Sequence, residues 1–292
     1  MDLLKTNSFK VVGRLSSSNL EVKQRKDNGN TFISGDIVVI AELGGAKNEF
    51  EISFYANQKT ADGKDSALFT SYSKLADLVG KKIEVTGSLG ESRFWSSKTN
   101  QMASKQTLNG RFVRGVAEST ADEGSFEIGG FVVQGLTERT NKNNEVYRYD
   151  LTLGQANYKG DAMMRLVAHI NPADRDIVNG VRGYEVGQTV RVNGDLRFIV
   201  TETRAERSNE GGFGEPVVRV YTNKQHNFFI TGGTAAIKDP AQGMYSSEVI
   251  RGLVAGYKAR DVELENKAKS SAPAEQPAEE EPRVTSKQTS LI

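Results

Sequence analysis

The residues of this chain best suited to chemistry are rings set beside cations in polar stretches. Arg93, Phe94 and Trp95 run together in ESRFWSSKTN, and Lys105 lies across the polar segment that follows. Trp95 is the only tryptophan, and its polar neighbourhood predicts an exposed ring rather than a core plug. Arg197 precedes Phe198 at the matching place in the second half; Arg204, Arg207 and Phe213 lie on or near the glycine-rich SNEGGFGEP. Arg148 sits between two tyrosines, and Arg219 and Tyr221 follow in VVRVYTN. Tyr55 stands opposite the Phe50, Ile52, Phe54 face of EFEISFYAN. Such groups suit contact with a polyanion that carries flat surfaces.

Bond-making chemistry has no comparable support. The chain has no GxxxxGK phosphate loop, no nucleophile beside a base, no cysteine, and only two histidines, His169 and His226. No metal site or cofactor is expected, and the protein reads as a binder rather than an enzyme.

Strand alternation sorts the candidates further. Leu89, Arg93 and Trp95 share one parity and Phe94 the other. Intervening glycines can reset the phase, so one of the pair packs inward and alternation leaves open which. Val190, Val192, Leu196, Phe198 and Val200 share a parity, which puts Phe198 in a core and Arg197 outward. Tyr147 and Tyr149 share parity with Leu151 and Leu153, which leaves both burial and contact open to them. Phe213 divides evenly between stacking and anchoring its own loop.

The elements that must position these residues come in two sets. VGKKIEVTGSL at 79–89 recurs as VGQTVRVNGDL at 186–196, each with strand-like alternation and each closing on glycine, one residue and leucine. Around the first copy lie strands in FKVVGRL, FISGDIVVIAEL and EFEISFYAN, a turn in KDNGN, a short helix in SALFTSYSKLADLVG and a closing strand in TLNGRFVRGV. Around the second lie SFEIGGFVVQGL, EVYRYDLTLGQ and DAMMRLVAHIN. A short helix in NPADRDIVNGV has Asn171 as cap and Pro172 at its first position, and VVRVYTNKQHNFFITGG closes the unit. Three strands, a short helix and two strands is OB connectivity. The fold class expected is all-β, with two tandem OB-fold domains (five-stranded Greek-key barrels) at 1–118 and 119–233. A linker and C-terminal helix follow at 234–269, then a disordered acidic tail at 270–292. Val249, Leu253 and Tyr257, with Ile250 beside them, form that helix's apolar stripe.

Formal net charge is +1 overall, and the last stretch, from Asp261, is acidic, which leaves the body mildly basic. No apolar run is long enough for a membrane span, and no secretion signal opens the chain, so the cytoplasm is expected.

The phrase GKKIEVTGSLGESRFWSSKTNQ, followed by a strand past a polar gap, resembles the fourth strand, variable loop and fifth strand of bacterial and phage single-stranded DNA-binding proteins. That resemblance implies coating of single-stranded DNA during replication or recombination, with Arg93, Phe94 and Trp95 at the loop, and a tail that recruits replication proteins. Usual bacterial members carry one barrel per subunit and form tetramers; two barrels in one chain allow a monomer or dimer. The tail tip departs from the family's aspartate run and Pro-Phe ending. Instead Gln288, Ser290, Leu291 and Ile292 resemble the peptide that docks onto the sliding clamp, with Thr289 where leucine is common. Two other readings stay open: an OB-like structural or interaction module of a virion or assembly, and RNA binding.

Overall fold

The computed structural model describes residues 3–27, 29–97, 99–157, 159–207 and 217–271, of which 201–207, 217–223 and 271 by backbone alone. Phe213 and the tail tip Gln288, Ser290, Leu291 and Ile292 lie outside these residues.

Eleven strands form one sheet that closes on itself twice. In the first unit β1 (Asn7–Ser18), β2 (Glu21–Gln24), β3 (Thr31–Leu43) and β4 (Ala46–Asn57) precede the helix α1 (Ala67–Tyr72), and β5 (Lys82–Ser96) and β6 (Gln101–Gly115) follow it. β1 pairs with β3 and β5, β3 with β4, and β5 with β6, all antiparallel; β4 meets β6 in parallel and closes the barrel. The second unit repeats the circuit. It comprises β7 (Glu123–Thr140), β8 (Val146–Ala156), β9 (Met163–Ile170), α2 (Arg175–Arg182), β10 (Thr189–Arg207) and β11 (Val217–Gly233). There β7 pairs with β8 and β10, and a parallel contact between β9 and β11 closes the ring. Both are OB barrels. A last helix, α3 (Ser247–Ser271), starts with Ser246 Oγ accepting from Val249 N at 3.3 Å.

The repeated phrase has a physical reason. Gly80 and Gly187 adopt φ of 85° and 89°, left-handed values that other residues resist, and each donates its N–H to a carbonyl of its barrel's first strand (Leu15 or Val132) at 2.8 Å. The closing glycines, Gly87 and Gly194, sit where the pairing register shifts by a residue in both barrels. A Cβ at either would collide with a carbonyl of the neighbouring strand, Asn109 or Phe229. Leu89 and Leu196 then return to the core.

The barrels are joined by their first strands. β1 and β7 pair antiparallel with Phe9 opposite Phe126, and these two residues hold the same place in their own barrels, opposite Gly87 and Gly194. A pseudo-twofold axis therefore passes between them. The fourth strands cross over reciprocally: Phe198 N donates to the buried Asn48 Oδ1 at 2.8 Å, and Arg165 N donates to Glu91 Oε2 at 2.8 Å. One hydrophobic core runs through both barrels, bridged where the Phe50 and Phe198 rings lie 5.1 Å apart.

Some local expectations change. EVKQ forms a strand, β2, so KDNGN turns a hairpin back onto β3 instead of merely separating strands. The second short helix begins at Arg175 with Asp174 at its N-cap position. Asn171 instead makes a local turn, its Oδ1 accepting from Ala173 N at 3.0 Å, and Pro172 stays outside the helix.

Candidate nucleic-acid interface

Two long hairpins project from the barrels, β5–β6 and β10–β11, and the first divides the predicted ring-and-cation cluster between its two faces. Ser92 lies opposite Lys105 and Phe94 opposite Ala103, while Arg93 lies opposite Ser104 and Trp95 opposite Met102. Directly opposed residues share a face, so Phe94 and Lys105 point one way and Arg93 and Trp95 the other.

The Phe94 face looks toward the first barrel. Phe94 is 47 % exposed, and Lys105 Nζ pairs with Glu51 Oε2 at 3.4 Å on the outer surface of β4. The rest of that surface is polar: Asp36 Oδ1 accepts from Ser53 Oγ at 2.6 Å, and Glu49 pairs with Lys224 of the β10–β11 hairpin at 3.1 Å. At its end stands an aromatic group. Tyr55 is 48 % exposed, its ring 5.5 Å from that of Phe32. Arg25 donates to Tyr55 Oη at 2.6 Å, Tyr55 donates to Asn57 Oδ1 at 2.6 Å, and the Arg25 guanidinium stands 5.9 Å from the Phe32 ring centre. A cleft of roughly 590 Å³ opens beside them, lined by Arg25, Asn57 and the Gly29–Thr31 turn. Sequence reasoning singled out Tyr55 as a candidate and did not name Phe32 or Arg25. The signal was available, because Phe32 has the polar parity of β3, opposite Ile33, Ile37 and Val39.

The Arg93 face is covered. Arg93 keeps 9 % of its side chain exposed, stacks on the Tyr257 ring at 3.5 Å, pairs with Asp261 and donates to the Tyr257 carbonyl at 3.1 Å. Trp95 is half-buried with Lys269 Nζ 5.6 Å from its ring centre. Strand alternation thus sets Arg93 and Trp95 back to back with Lys105. Tyr257 donates to Glu91 Oε1 at 2.7 Å, and burial together with that bond pushes its phenol up to about 12.

The second barrel carries a different outer face. Asp150 is buried, with Arg139 Nε at 2.6 Å, Arg148 Nε at 2.9 Å and His169 Nδ1 at 2.9 Å. Burial opposes ionisation, yet the bonds from Arg139 and His169 and the charge of Arg148 hold its carboxyl below the usual range. Burial and the neighbouring arginines hold His169 neutral. Tyr147, expected at least as readily in the core, is 56 % exposed, because β8 begins beyond the barrel wall there; Tyr149 packs against the core. Phe198 is buried as alternation requires, and Arg197 pairs with Asp195 at 2.9 Å. Arg204, Arg207, Arg219 and Tyr221 lie on the β10–β11 hairpin, with Arg204 opposite Val220 and Arg219 opposite Ala205. Among the described residues no group of His, Cys, Asp and Glu could hold a metal, and no helix is long and apolar enough to cross a membrane.

The YorF family model matches residues 5–270. The chain belongs to the YorF family. A search of curated proteins finds no match. Among solved structures, the single-stranded DNA-binding protein of Thermus aquaticus is similar at 13 % identity and a TM-score of 0.51, over 82 % of this chain and 97 % of that one. A deletion variant of it gives 12 % and 0.49, over 84 % and 98 %. The Plasmodium falciparum single-stranded DNA-binding protein in complex with single-stranded DNA gives 14 % and 0.27, over 40 % and 100 %. At such identity the Thermus likeness speaks to fold, and the fold of this YorF-family member is a tandem pair of OB barrels.

Proposed function

We propose that the chain binds single-stranded DNA without strong sequence preference, and that it does so without enzymatic activity. The observation that carries this reading is the ring pair of exposed Tyr55 and half-buried Phe32 with Arg25 beside it, at the end of the β3–β4 face. That face is where OB barrels bind oligonucleotides, and the Thermus protein of like fold is a single-stranded DNA-binding protein. Tyr55 and Phe32 offer stacking surfaces to unpaired bases, Phe94 offers a third, and Arg25 and Lys105 meet phosphates. The carboxylates on this face oppose a polyanion less than their number suggests, because Glu49 is neutralised by Lys224.

A strand continuing past β4 meets the β10–β11 hairpin, where Arg204, Arg207, Arg219 and Tyr221 extend the contact; Arg148 and Arg197 serve the second barrel. Replication or recombination is the setting, in the cytoplasm, and the tail residues Gln288, Ser290, Leu291 and Ile292 dock onto a replication protein, with the sliding clamp as candidate. The test is titration of fluorescent oligo-dT, oligo-rU and duplex DNA at two salt concentrations. Preference for dT over duplex, with affinity falling as salt rises, is the expected result. Equal binding of rU would move the reading to RNA, and no binding of any polymer would remove it in favour of an interaction module.

A further inference from the structure

The Arg93–Trp95 face is covered by α3, and α3 has two unlike halves. Its first turns dock by apolar contact: Leu253 is buried, and Val249, Ile250 and Val254 pack with it against Leu4, Phe131, Met163 and Tyr245. Tyr257 borders the same apolar cluster but turns its ring to Arg93 and its hydroxyl to Glu91; farther along, Asp261 pairs with Arg93, and Lys269 lies over the Trp95 ring. Gly256 stands at the junction. A Cβ there would meet only the Asp161 carbonyl oxygen, at an ordinary 3.9 Å, so packing does not require glycine. Glycine nevertheless weakens a helix interior, and here it does so between the apolar half and the polar half.

What Arg93 touches is chemically what a nucleotide would offer. A flat ring lies against its guanidinium and an anion pairs with its Nη2. A cleft of about 770 Å³ opens alongside, its lining including Lys5, Arg93, Arg260 and Met163 and one carboxylate, Glu91, which is engaged by Tyr257 and the Arg165 amide. It leaves room for a strand beside the covered groups.

We propose that the distal half of α3, Tyr257–Ser271, is a displaceable strap that occupies the Arg93–Trp95 face in place of single-stranded nucleic acid, pivoting at Gly256. The proposal rests on the single-stranded DNA reading above. Binding then has two stages, an open ring-bearing face on the first barrel and a second face freed when the strap lifts. Tyr257 gives the strap one apolar contact and the Asp261 and Lys269 contacts hold it beyond, while its root is held by the buried Leu253 cluster, so release leaves the barrels intact.

Full-length protein and a fluorescent dT oligonucleotide test it. Asp261→Asn should tighten binding at least three-fold, whereas Glu263→Gln, the same charge change on the exposed side of the same helix, should shift it far less. Gly256→Ala changes no charge and should weaken binding, by up to about five-fold if the whole helix-propensity difference resists release. In hydrogen exchange of the unaltered protein, dT should lower protection in 257–270 and leave 247–254 unchanged. If all variants bind dT alike and 257–270 keeps or gains protection, the strap is wrong while DNA binding stands. If no variant binds dT, the functional reading fails and takes the strap with it.

Discussion

The two barrels share a circuit and differ on the face that circuit presents. Asp36 and Asp150 occupy the same position, each three residues before the core residue, Val39 or Leu153, that pairs with its barrel's first strand. Opposite Asp36 stands Ser53; opposite Asp150 stands His169, and Arg139 and Arg148 complete a closed ion cluster. The first barrel leaves rings open beside a lightly paired strip, while the second locks its charges to one another. Inward residues are tied by a common core and a common bulge, so the copies stayed alike there. Outward residues have no such constraint, and they set the division of labour proposed between the barrels.

The shared core is the part of this comparison that a single change can break most severely. Phe198→Ala, which removes the ring bridging to Phe50, should cost about 3–5 kcal/mol. Both barrels should then melt in one earlier transition by calorimetry; two separate transitions would show that the barrels are independent. Next, Gly87→Ala and Gly194→Ala should each cost roughly 1–3 kcal/mol, since the new methyl meets backbone and not a yielding side chain. Equal losses in denaturant midpoint would sharpen the pseudo-symmetry, and a tolerated substitution in either would break it.

On the outer faces, Tyr55→Ala should lower dT affinity by about 1–3 kcal/mol, and Tyr147→Ala on the second barrel by less. The reverse order in a fluorescence titration would transfer the principal site to the second barrel. Arg25→Ala should flatten the slope of log affinity against log salt by about one. Acid should separate the barrels in a subtler way. His169 is held neutral by burial and by Arg148 and Arg139 against the pull of Asp150, and His226 by burial with Lys105 and Lys224. Both imidazoles have lowered folded pKa values, so the unfolded chain takes up more protons as pH falls below about 6.5, and stability drops in that direction. The melting temperature should be lower at pH 5.5 than at pH 7.5, and His169→Gln should shrink that difference. Asp150 adds a further loss below the usual carboxylate range, where protonation breaks its cluster.

Much of the fold was legible because it is local. Alternation, turn glycines and the recurring phrase specify strands and their order, and Phe198 could be put in the core from the parity it shares with Leu196. The elements missed, β2 and the true start of α2, are short and polar, and their pairing or capping partners decide them. The site was legible in part: Tyr55 has the parity of an exposed residue, and Phe32 has it too.

By itself the sequence determined two barrels, a terminal helix and a supply of rings and cations, since period-two burial and positive-φ glycines act over a few residues. Only the tertiary structure decided which of those rings are open. Hairpin pairing fixed Phe94 and Trp95 on opposite faces, and the docking of α3, built from residues far along the chain, covered one face and left the other exposed.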